Sequence, residues 1–272
     1  MSGEITGDAR PIGVFDSGIG GLTVLHEIAG LLPTEELVYL GDTARVPYGT
    51  KSKETVTRYS MENTRFLLSK NVKAVVVACN SASATSIPEL RKSFDLPILG
   101  VIEAGVEEAM RRTDSGNVGV IGTQATIRSG RYEKLLLERG AKTVIGNPCP
   151  LFVPLAEEGW TDNEIAARIA EEYLKPFRNG AVDTLILGCT HYPLLEGVIA
   201  KVVGPNVKLV NSAYAVAIKL KDHLQSAGLK NPQGSGKRTY YVTDSPDRAI
   251  EVGSRFLSED ITDKINLIEP SA

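Results

Sequence analysis

Two cysteines stand directly after apolar runs of the chain and directly before polar residues. Cys79 lies in Lys73–Ser81, which reads KAVVVACNS, and Cys189 lies in Asp183–Pro193, which reads DTLILGCTHYP. A buried run of Val, Ile and Leu that ends in a polar cluster is typical of a strand whose carboxyl end presents side chains to a ligand. One such thiol in each half of the chain predicts a pair of reactive groups that face one substrate.

The position of these thiols favours a reactive role over a purely structural one. A free cysteine is usually a small core hydrophobe, and that alternative applies to each thiol taken alone. A strand end near a helix start, however, lowers the pKa of a thiol from its ordinary value of about 8.5 and makes thiolate available. We therefore expect lowered pKa values at Cys79 and Cys189, whereas Cys149, which lies between two prolines, is predicted to be structural.

Polar residues that could bind or protonate a substrate follow each thiol. They are Asn80–Ser81 and Thr190–His191, and His191 is one of three histidines in the chain. His191 could pair with Cys189 or act as a general acid, with a helix cap as the alternative. A zinc site here would need two further ligands that the sequence does not clearly offer.

A glycine-rich turn and three further polar segments fall at other predicted strand ends. Phe15–Gly21 reads FDSGIGG, in which backbone N–H groups could approach an anion, with a tight turn capped by Asp16 as the alternative. The further segments are Gly41–Gly49, Gly122–Thr126 and Pro150–Gly159. Each alone is more often a solvated loop, but together they predict a small anion-binding cleft with two thiols and no cofactor. Asp16 is expected to orient or deprotonate a neighbouring group.

Strand and helix patterns alternate along the whole chain. Predicted strands cover 12–15, 36–40, 73–79, 96–102, 116–121 and 238–243, and helices cover 21–32, 52–71 and 103–112. This alternation predicts an α/β fold of two similar doubly wound lobes with mostly parallel sheets and the active site in the cleft between them. We expect the first lobe to comprise residues 1–98 and 210–272, and the second to comprise 99–209.

The spacing of three landmarks supports two related lobes. The landmarks are Asp16, Pro47 and Cys79 in the first half, and Gly122, Pro154 and Cys189 in the second. The intervals between them are 31 and 32 residues in the first half, and 32 and 35 in the second. Few residue identities accompany this agreement, so two unrelated doubly wound domains of similar size are the alternative.

Composition limits the classes of protein to which the chain can belong. A net charge of -3 and a pI near 5.8, with dispersed basic residues, argue against a nucleic-acid partner or an anionic membrane surface. The polar amino terminus and the absence of a long apolar run predict a cytoplasmic location. Three cysteines without close pairs are expected to stay reduced there.

Together these motifs resemble those of the glutamate racemases, cofactor-independent bacterial enzymes that make D-glutamate for peptidoglycan. The matching segments are Gly13–Leu22, Gly41–Asp42, Val46–Gly49, Ala78–Ser83, Gly119–Thr126, Cys149–Pro154, Glu157–Gly159 and Gly188–Pro193. They follow the family's order along nearly the whole chain. Ser81 stands where the family more often has Thr, and Ala104 where Pro is common; the first change keeps the hydroxyl and the second affects local loop geometry.

The resemblance implies that Cys79 and Cys189 are the two catalytic bases and that no cofactor or metal is needed. We expect Asp16 to assist Cys79 and His191 to assist Cys189. The expected substrate contacts are Asp16, Ser17, Pro47, Tyr48, Gly49, Asn80, Ser81, Thr123, Thr126, Glu158, Thr190 and His191, with Glu157 as the alternative to Glu158. The expected partners are glutamate and, in a homodimer, a second copy of the chain.

Three alternatives stay open from the sequence. The nearest is the same chemistry on another substrate, as in the related aspartate or hydantoin racemases. The second is a two-lobed protein that binds an amino acid without turnover. The third is a redox or metal-binding dithiol protein, which thiol titration and metal analysis would detect.

Overall fold

The computed structural model describes residues 7–269 and alternates strands with helices. The strands are β1 (Ile12–Asp16), β2 (Leu37–Gly41), β3 (Ala74–Val77), β4 (Ile98–Gly100), β5 (Asn117–Gly122), β6 (Thr143–Pro148), β7 (Thr184–Gly188), β8 (Lys208–Asn211), β9 (Arg238–Val242) and β10 (Ile265–Leu267). The α-helices are α1 (Leu22–Leu31), α2 (Lys53–Ser69), α3 (Asn80–Ser93), α4 (Val101–Arg112), α5 (Gln124–Arg128), α6 (Arg131–Glu138), α7 (Phe152–Glu157), α8 (Glu164–Tyr173), α9 (Glu196–Val203), α10 (Ser212–Ser226) and α11 (Pro246–Leu257).

Two parallel sheets form the centre of the molecule. The first has the strand order β10-β9-β2-β1-β3-β4, and the second has the order β6-β5-β7-β8. All the strand pairs in both sheets are parallel. The order of β1 to β4 in the first sheet is repeated by β5 to β8 in the second, so β3 corresponds to β7. The predicted α/β class with parallel sheets is confirmed.

Burial of both sheet faces explains the composition of the central strands. Strand β3 reads AVVV, and all four residues are 0% exposed. Val76 joins one hydrophobic cluster, whereas Val75 and Val77 join another on the opposite face of the sheet. Because helices cover both faces of a parallel sheet, its inner strands are continuously apolar and turn polar only at their ends. This change in polarity marks the positions of the two cysteines.

The chain crosses between the sheets twice. It leaves the first sheet after β4, whose last residue is Gly100, and leaves the second after β8, whose last residue is Asn211. Strand β9 then returns to the first sheet by pairing with β2. These crossings fall close to the boundaries expected at 98/99 and 209/210, which we keep as proposed lobe boundaries. The strand predicted over 96–102 is shorter because helix α4 begins at Val101. None of the helices within residues 7–269 has the length and apolar character needed to cross a bilayer.

Candidate active site

The two cysteines lie at the carboxyl ends of corresponding strands. Cys79 is separated from β3 by one residue, and Cys189 follows β7 directly. Both thiols are almost fully buried, and both line a single cavity of about 80 Å³. The carboxyl ends of parallel strands are where α/β proteins bind their ligands, and here the ends from two sheets face each other. The structure therefore brings both predicted thiols to one enclosed space.

Both lobes contribute to the wall of this cavity. Its lining residues are Asp16, Ser17, Gly18, Ile19, Val46, Pro47, Tyr48, Gly49, Cys79, Asn80 and Ser81 from the first lobe, and Thr123, Val153, Glu157, Cys189, Thr190 and His191 from the second. The predicted contacts lie among them, with Thr126 and Glu158 as the exceptions. Ile19, Val46 and Val153 form apolar parts of the wall that the sequence analysis did not select. A cavity of this size admits a small molecule and no larger ligand.

Cys79 lies in an apolar environment beside a carboxylate. Its thiol donates to Ser17 Oγ at 3.5 Å. Burial, with a further contribution from the charge of Asp16, raises the pKa of Cys79 to about 12. The expected lowering of this pKa is wrong, because removal from water and a neighbouring negative charge both favour the neutral thiol. At neutral pH the Cys79 side chain is therefore a neutral thiol.

Asp16 ends β1, and the glycine-rich turn wraps around its carboxylate. The backbone N–H groups of Gly18 and Gly21 donate to Oδ2 at 3.3 and 3.0 Å. Oδ1 is buried and has no hydrogen-bond partner among the residues that the structure describes. Burial raises the pKa of Asp16, although the charge of His191 and the backbone donors oppose this shift. Asp16 Oδ1 can therefore accept a proton, or a hydrogen bond from an ammonium group, inside the cavity.

His191 connects Cys189 to Glu157. Its Nδ1 is 3.9 Å from Cys189 Sγ, and its Nε2 is 3.1 Å from Glu157 Oε1. Burial disfavours the imidazolium, but the hydrogen bonds with Cys189 and Glu157 outweigh it and raise the pKa of His191 to about 10. The same bond to His191 lowers the pKa of Glu157. At neutral pH His191 and Glu157 therefore form an ion pair, and the imidazolium lies beside the Cys189 sulfur.

Glu157 and not Glu158 belongs to this site, which corrects the residue selected from the sequence. Helix α7 ends at Glu157, whose side chain faces His191 and lines the cavity. Glu158 is 60% exposed and pairs with Arg248 at 3.3 Å. Neighbouring residues on a helix point in directions about 100° apart, so only one of them can reach the cavity.

We expect Glu157→Gln to lower the pKa of His191 by about one unit or more, because loss of the adjacent carboxylate removes its stabilisation of the imidazolium. NMR titration of the His191 ring nitrogens measures this shift. Since the folded-state pKa lies above the unfolded value of 6.5, the ion pair stabilises the fold fully below that pH and loses its effect as the pH rises through about 10. In the variant this loss moves to lower pH. Glu158→Gln is the matched control, and an equal shift in both variants would contradict the assignment.

A cluster of hydroxyl groups joins the lobes beside the cavity. Ser81 Oγ of the first lobe lies 3.1 Å from Thr123 Oγ1 of the second. Thr126 Oγ1 lies behind both, 3.1 Å from Thr123 and 3.4 Å from Ser81. Thr126 therefore supports two cavity residues and does not line the cavity itself, which corrects its predicted role as a contact.

The amide of Asn80 is oriented by a residue of the other lobe. Tyr132, on α6, donates its hydroxyl to Asn80 Oδ1 at 2.8 Å. Asn80 Nδ2 is buried without a partner among the described residues. The amide nitrogen is thus fixed as a donor at the cavity. Tyr132 was not predicted from the sequence, because it lies in a different lobe with no motif around it.

A close contact between the lobes requires glycine at position 20. A Cβ atom at Gly20 would lie 2.3 Å from Thr190 Oγ1 and 2.4 Å from His191 Cε1. Thr23, at the start of α1, donates its hydroxyl to the carbonyl of Thr190 at 2.8 Å. The glycine-rich turn of the first lobe therefore packs directly on the polar segment after Cys189.

The comparison with known proteins agrees with the motifs found in the sequence. The family described as Asp/Glu/Hydantoin racemase matches residues 14–219. A glutamate racemase of Geobacter metallireducens is 52% identical over 256 residues, which cover 93% of this chain and 95% of the relative. A crystal structure of the Francisella tularensis glutamate racemase in complex with D-glutamate superposes with a TM-score of 0.90 at 38% identity, and the match covers 97% of this chain and 99% of that one.

Proposed function

The chain belongs to the Asp/Glu/hydantoin racemase family, and we propose that it inverts the α-carbon of glutamate by proton transfer at two thiols, Cys79 and Cys189. It is an amino-acid racemase. The identity to a glutamate racemase and the similarity to a structure that holds D-glutamate support glutamate over aspartate or a hydantoin as the substrate. The observation that carries the proposed mechanism is the placement of both thiols, at corresponding strand ends, in one small cavity.

Racemisation without a cofactor needs a base on one face of the α-carbon and an acid on the other. A thiolate and a thiol are the same group in two protonation states, so the two cysteines can exchange roles. In one direction the Cys189 thiolate takes the α-proton, the electron pair of the C–H bond passes into the α-carboxylate system, and the Cys79 thiol protonates the opposite face. The reverse direction begins with thiolate on Cys79 and thiol on Cys189. The raised pKa of Cys79 and the imidazolium beside Cys189 support the first arrangement in the free enzyme.

The carbanion is far more basic than a thiolate, so the site must stabilise charge that develops on the α-carboxylate. The amide nitrogen of Asn80 and the hydroxyls of Ser81 and Thr190 are donors at the cavity wall. Loss of one preorganised donor of this type costs a rate factor of about 10²–10³ in other enzymes. The hydrogen bond from Tyr132 holds the Asn80 amide with its nitrogen toward the cavity. The amide therefore does not need to reorient when charge develops on the substrate.

Asp16 and His191 are proposed to assist different thiols. Asp16 acts through its charge on Cys79, and His191 lies within hydrogen-bond reach of Cys189 Sγ. The free Oδ1 of Asp16 can also hold the substrate ammonium group, whose positive charge would favour thiolate on Cys79. Each half of the site thus has one thiol and one partner that sets its charge.

We expect Asp16→Asn to slow one direction of the reaction more than His191→Asn does. The equilibrium constant between the enantiomers is fixed, so a substitution changes kcat/KM by the same factor in both directions. A difference between the two directions must therefore appear in kcat and in KM taken separately. Single-turnover measurements with L- and D-glutamate separate the two directions. Equal losses for both variants in both directions would count against the pairing.

A circular-dichroism assay of purified protein with L-glutamate tests the proposed function most directly. The circular-dichroism signal is expected to decay with L-glutamate and to decay much more slowly with L-aspartate. Binding of glutamate without change in its handedness would instead favour a two-lobed binding protein.

We further propose that the D-glutamate supplies peptidoglycan synthesis in the cytoplasm, where thiols stay reduced. The family resemblance and the free state of Cys79 and Cys189 support this location. The homodimer stays a prediction, and light scattering of the purified protein would test it.

A further inference from the structure

Helix α11 contacts the Glu157–His191 pair from outside the racemase cavity. The helix follows β9 of the first sheet, whereas α7 and His191 follow β6 and β7 of the second. Arg248 and Arg255 lie seven residues apart on α11, and a separation of about two turns places them on the same side of the helix. Neither arginine lines the cavity. The ion pair beside Cys189 is therefore contacted by a helix that has no part in the cavity wall.

Arg248 binds the oxygen of the Glu157 carboxylate that His191 leaves free. Its Nη2 lies 3.3 Å from Glu157 Oε2, and Glu157 Oε1 lies 3.1 Å from His191 Nε2. The two carboxylate oxygens thus have different cationic partners. A carboxylate bound at both oxygens has less freedom to rotate than one bound at a single oxygen. Because the Glu157 side chain is 24% exposed, water can compete with His191 for Oε1 once Oε2 is released.

Two other residues of α11 fix the surroundings of this carboxylate. Arg255 Nη1 donates to the backbone carbonyl of Glu157, the last residue of α7. The final carbonyls of a helix have no partner within it, so this bond ties the end of α7 to α11. The Phe256 ring packs on the His191 ring with their centroids 5.6 Å apart and their planes nearly perpendicular. One helix therefore contacts the carboxylate, the backbone and the imidazole of the pair.

We propose that Arg248 is a positioning residue for proton transfer at Cys189. It holds Glu157 Oε2 so that Oε1 stays on His191. The imidazolium is thereby kept beside the Cys189 sulfur. The effect on rate rests on the proposed function, whereas the effect on His191 does not. A half-exposed arginine in an ion pair ordinarily contributes little to stability, so loss of Arg248 should act on the site and not on the fold.

NMR titration of the His191 ring nitrogens in Arg248→Ala tests the positioning without turnover. We expect the pKa of His191 to fall by about half a unit, because the released carboxylate leaves the imidazolium for water part of the time. If Arg248 acted only through its charge, the pKa would rise, since loss of a nearby cation favours the imidazolium. The other ionisable groups around the pair stay the same, and they are Asp16, Cys189, Glu158 and Arg255.

Three further variants identify the contact that causes the shift. In Glu157→Gln, removal of Arg248 should not lower the His191 pKa further, because the carboxylate to be positioned is gone. Arg248→Lys keeps a cation near Oε2 and should restore part of the shift. Arg168→Ala is the matched control, since Arg168 is exposed and pairs with Glu164 at 2.6 Å. A His191 pKa that rises or stays unchanged in Arg248→Ala, or falls equally in Arg168→Ala, would overturn the positioning role.

Single-turnover rates with L- and D-glutamate measure the effect on the reaction. Arg248→Ala should lower kcat/KM by roughly threefold or more, the rate equivalent of half a pKa unit, with wild-type far-UV circular dichroism and thermal unfolding. Its larger effect on kcat should fall in the same direction as that of His191→Asn. An unchanged rate with a lowered His191 pKa would overturn the role in proton transfer. Failure of the wild-type protein to invert glutamate would refute the proposed function, whereas the NMR titration would still test the contact.

Discussion

Replacement of either Cys79 or Cys189 by alanine is expected to lower kcat/KM for glutamate racemisation by about 10⁴-fold, the upper range for loss of a positioned acid or base. Each thiol serves one face of the α-carbon, so neither can substitute for the other. Only one sulfur is lost from a large two-sheet structure, and the fold should be retained. Polarimetric rates with both enantiomers, together with far-UV circular dichroism and thermal unfolding, measure the two effects.

Cys149→Ala is the matched control for these variants. Cys149 is also buried, and burial raises its pKa to about 12, but it does not line the racemase cavity. Its carbonyl accepts the hydroxyl of Tyr192 at 2.8 Å, a bond that the substitution leaves in place. Most activity should remain. A Cys149 variant as inactive as the other two, or a Cys79 variant with near-normal rates, would refute the assignment of roles.

In D₂O the product enantiomer should carry deuterium at Cα from the first turnover, while the recovered substrate stays largely protiated at early times. The thiol that donates to the product face has exchanged with solvent before the reaction, and the proton taken from the substrate stays on the other thiol. Cys79 and Cys189 follow strands of different sheets, and in the proposed mechanism the substrate lies between them, so a direct transfer of that proton from one thiol to the other is not expected. NMR or mass spectrometry of both enantiomers at low conversion measures the label.

A single base that serves both faces would give a different isotope pattern. It would return part of the original substrate hydrogen to the product. Early transfer of that hydrogen into product would rule out the two-thiol mechanism even if both cysteines proved essential. The label experiment therefore tests the mechanism separately from the substitutions, which test only the need for each sulfur.

Local sequence patterns determined the class of fold and the position of the two thiols. Apolar runs followed by polar clusters at Cys79 and Cys189 identify strand ends, because inner strands of a parallel sheet are buried on both faces. The glycine-rich turn after Asp16 is equally local. These features depend on residues close in the chain, so the sequence alone predicts them, and the motifs around them led to the racemase family.

Only the tertiary structure determined the protonation states of the site residues and the contacts that position them. The pKa of Cys79 is raised because packing removes the thiol from water beside Asp16, and no local motif reports burial. The choice of Glu157 over Glu158 depends on where α7 meets His191. The bond from Tyr132 to Asn80 joins residues 52 positions apart. Each of these contacts joins residues from different helices, strands or turns, where distance in space is unrelated to distance along the chain.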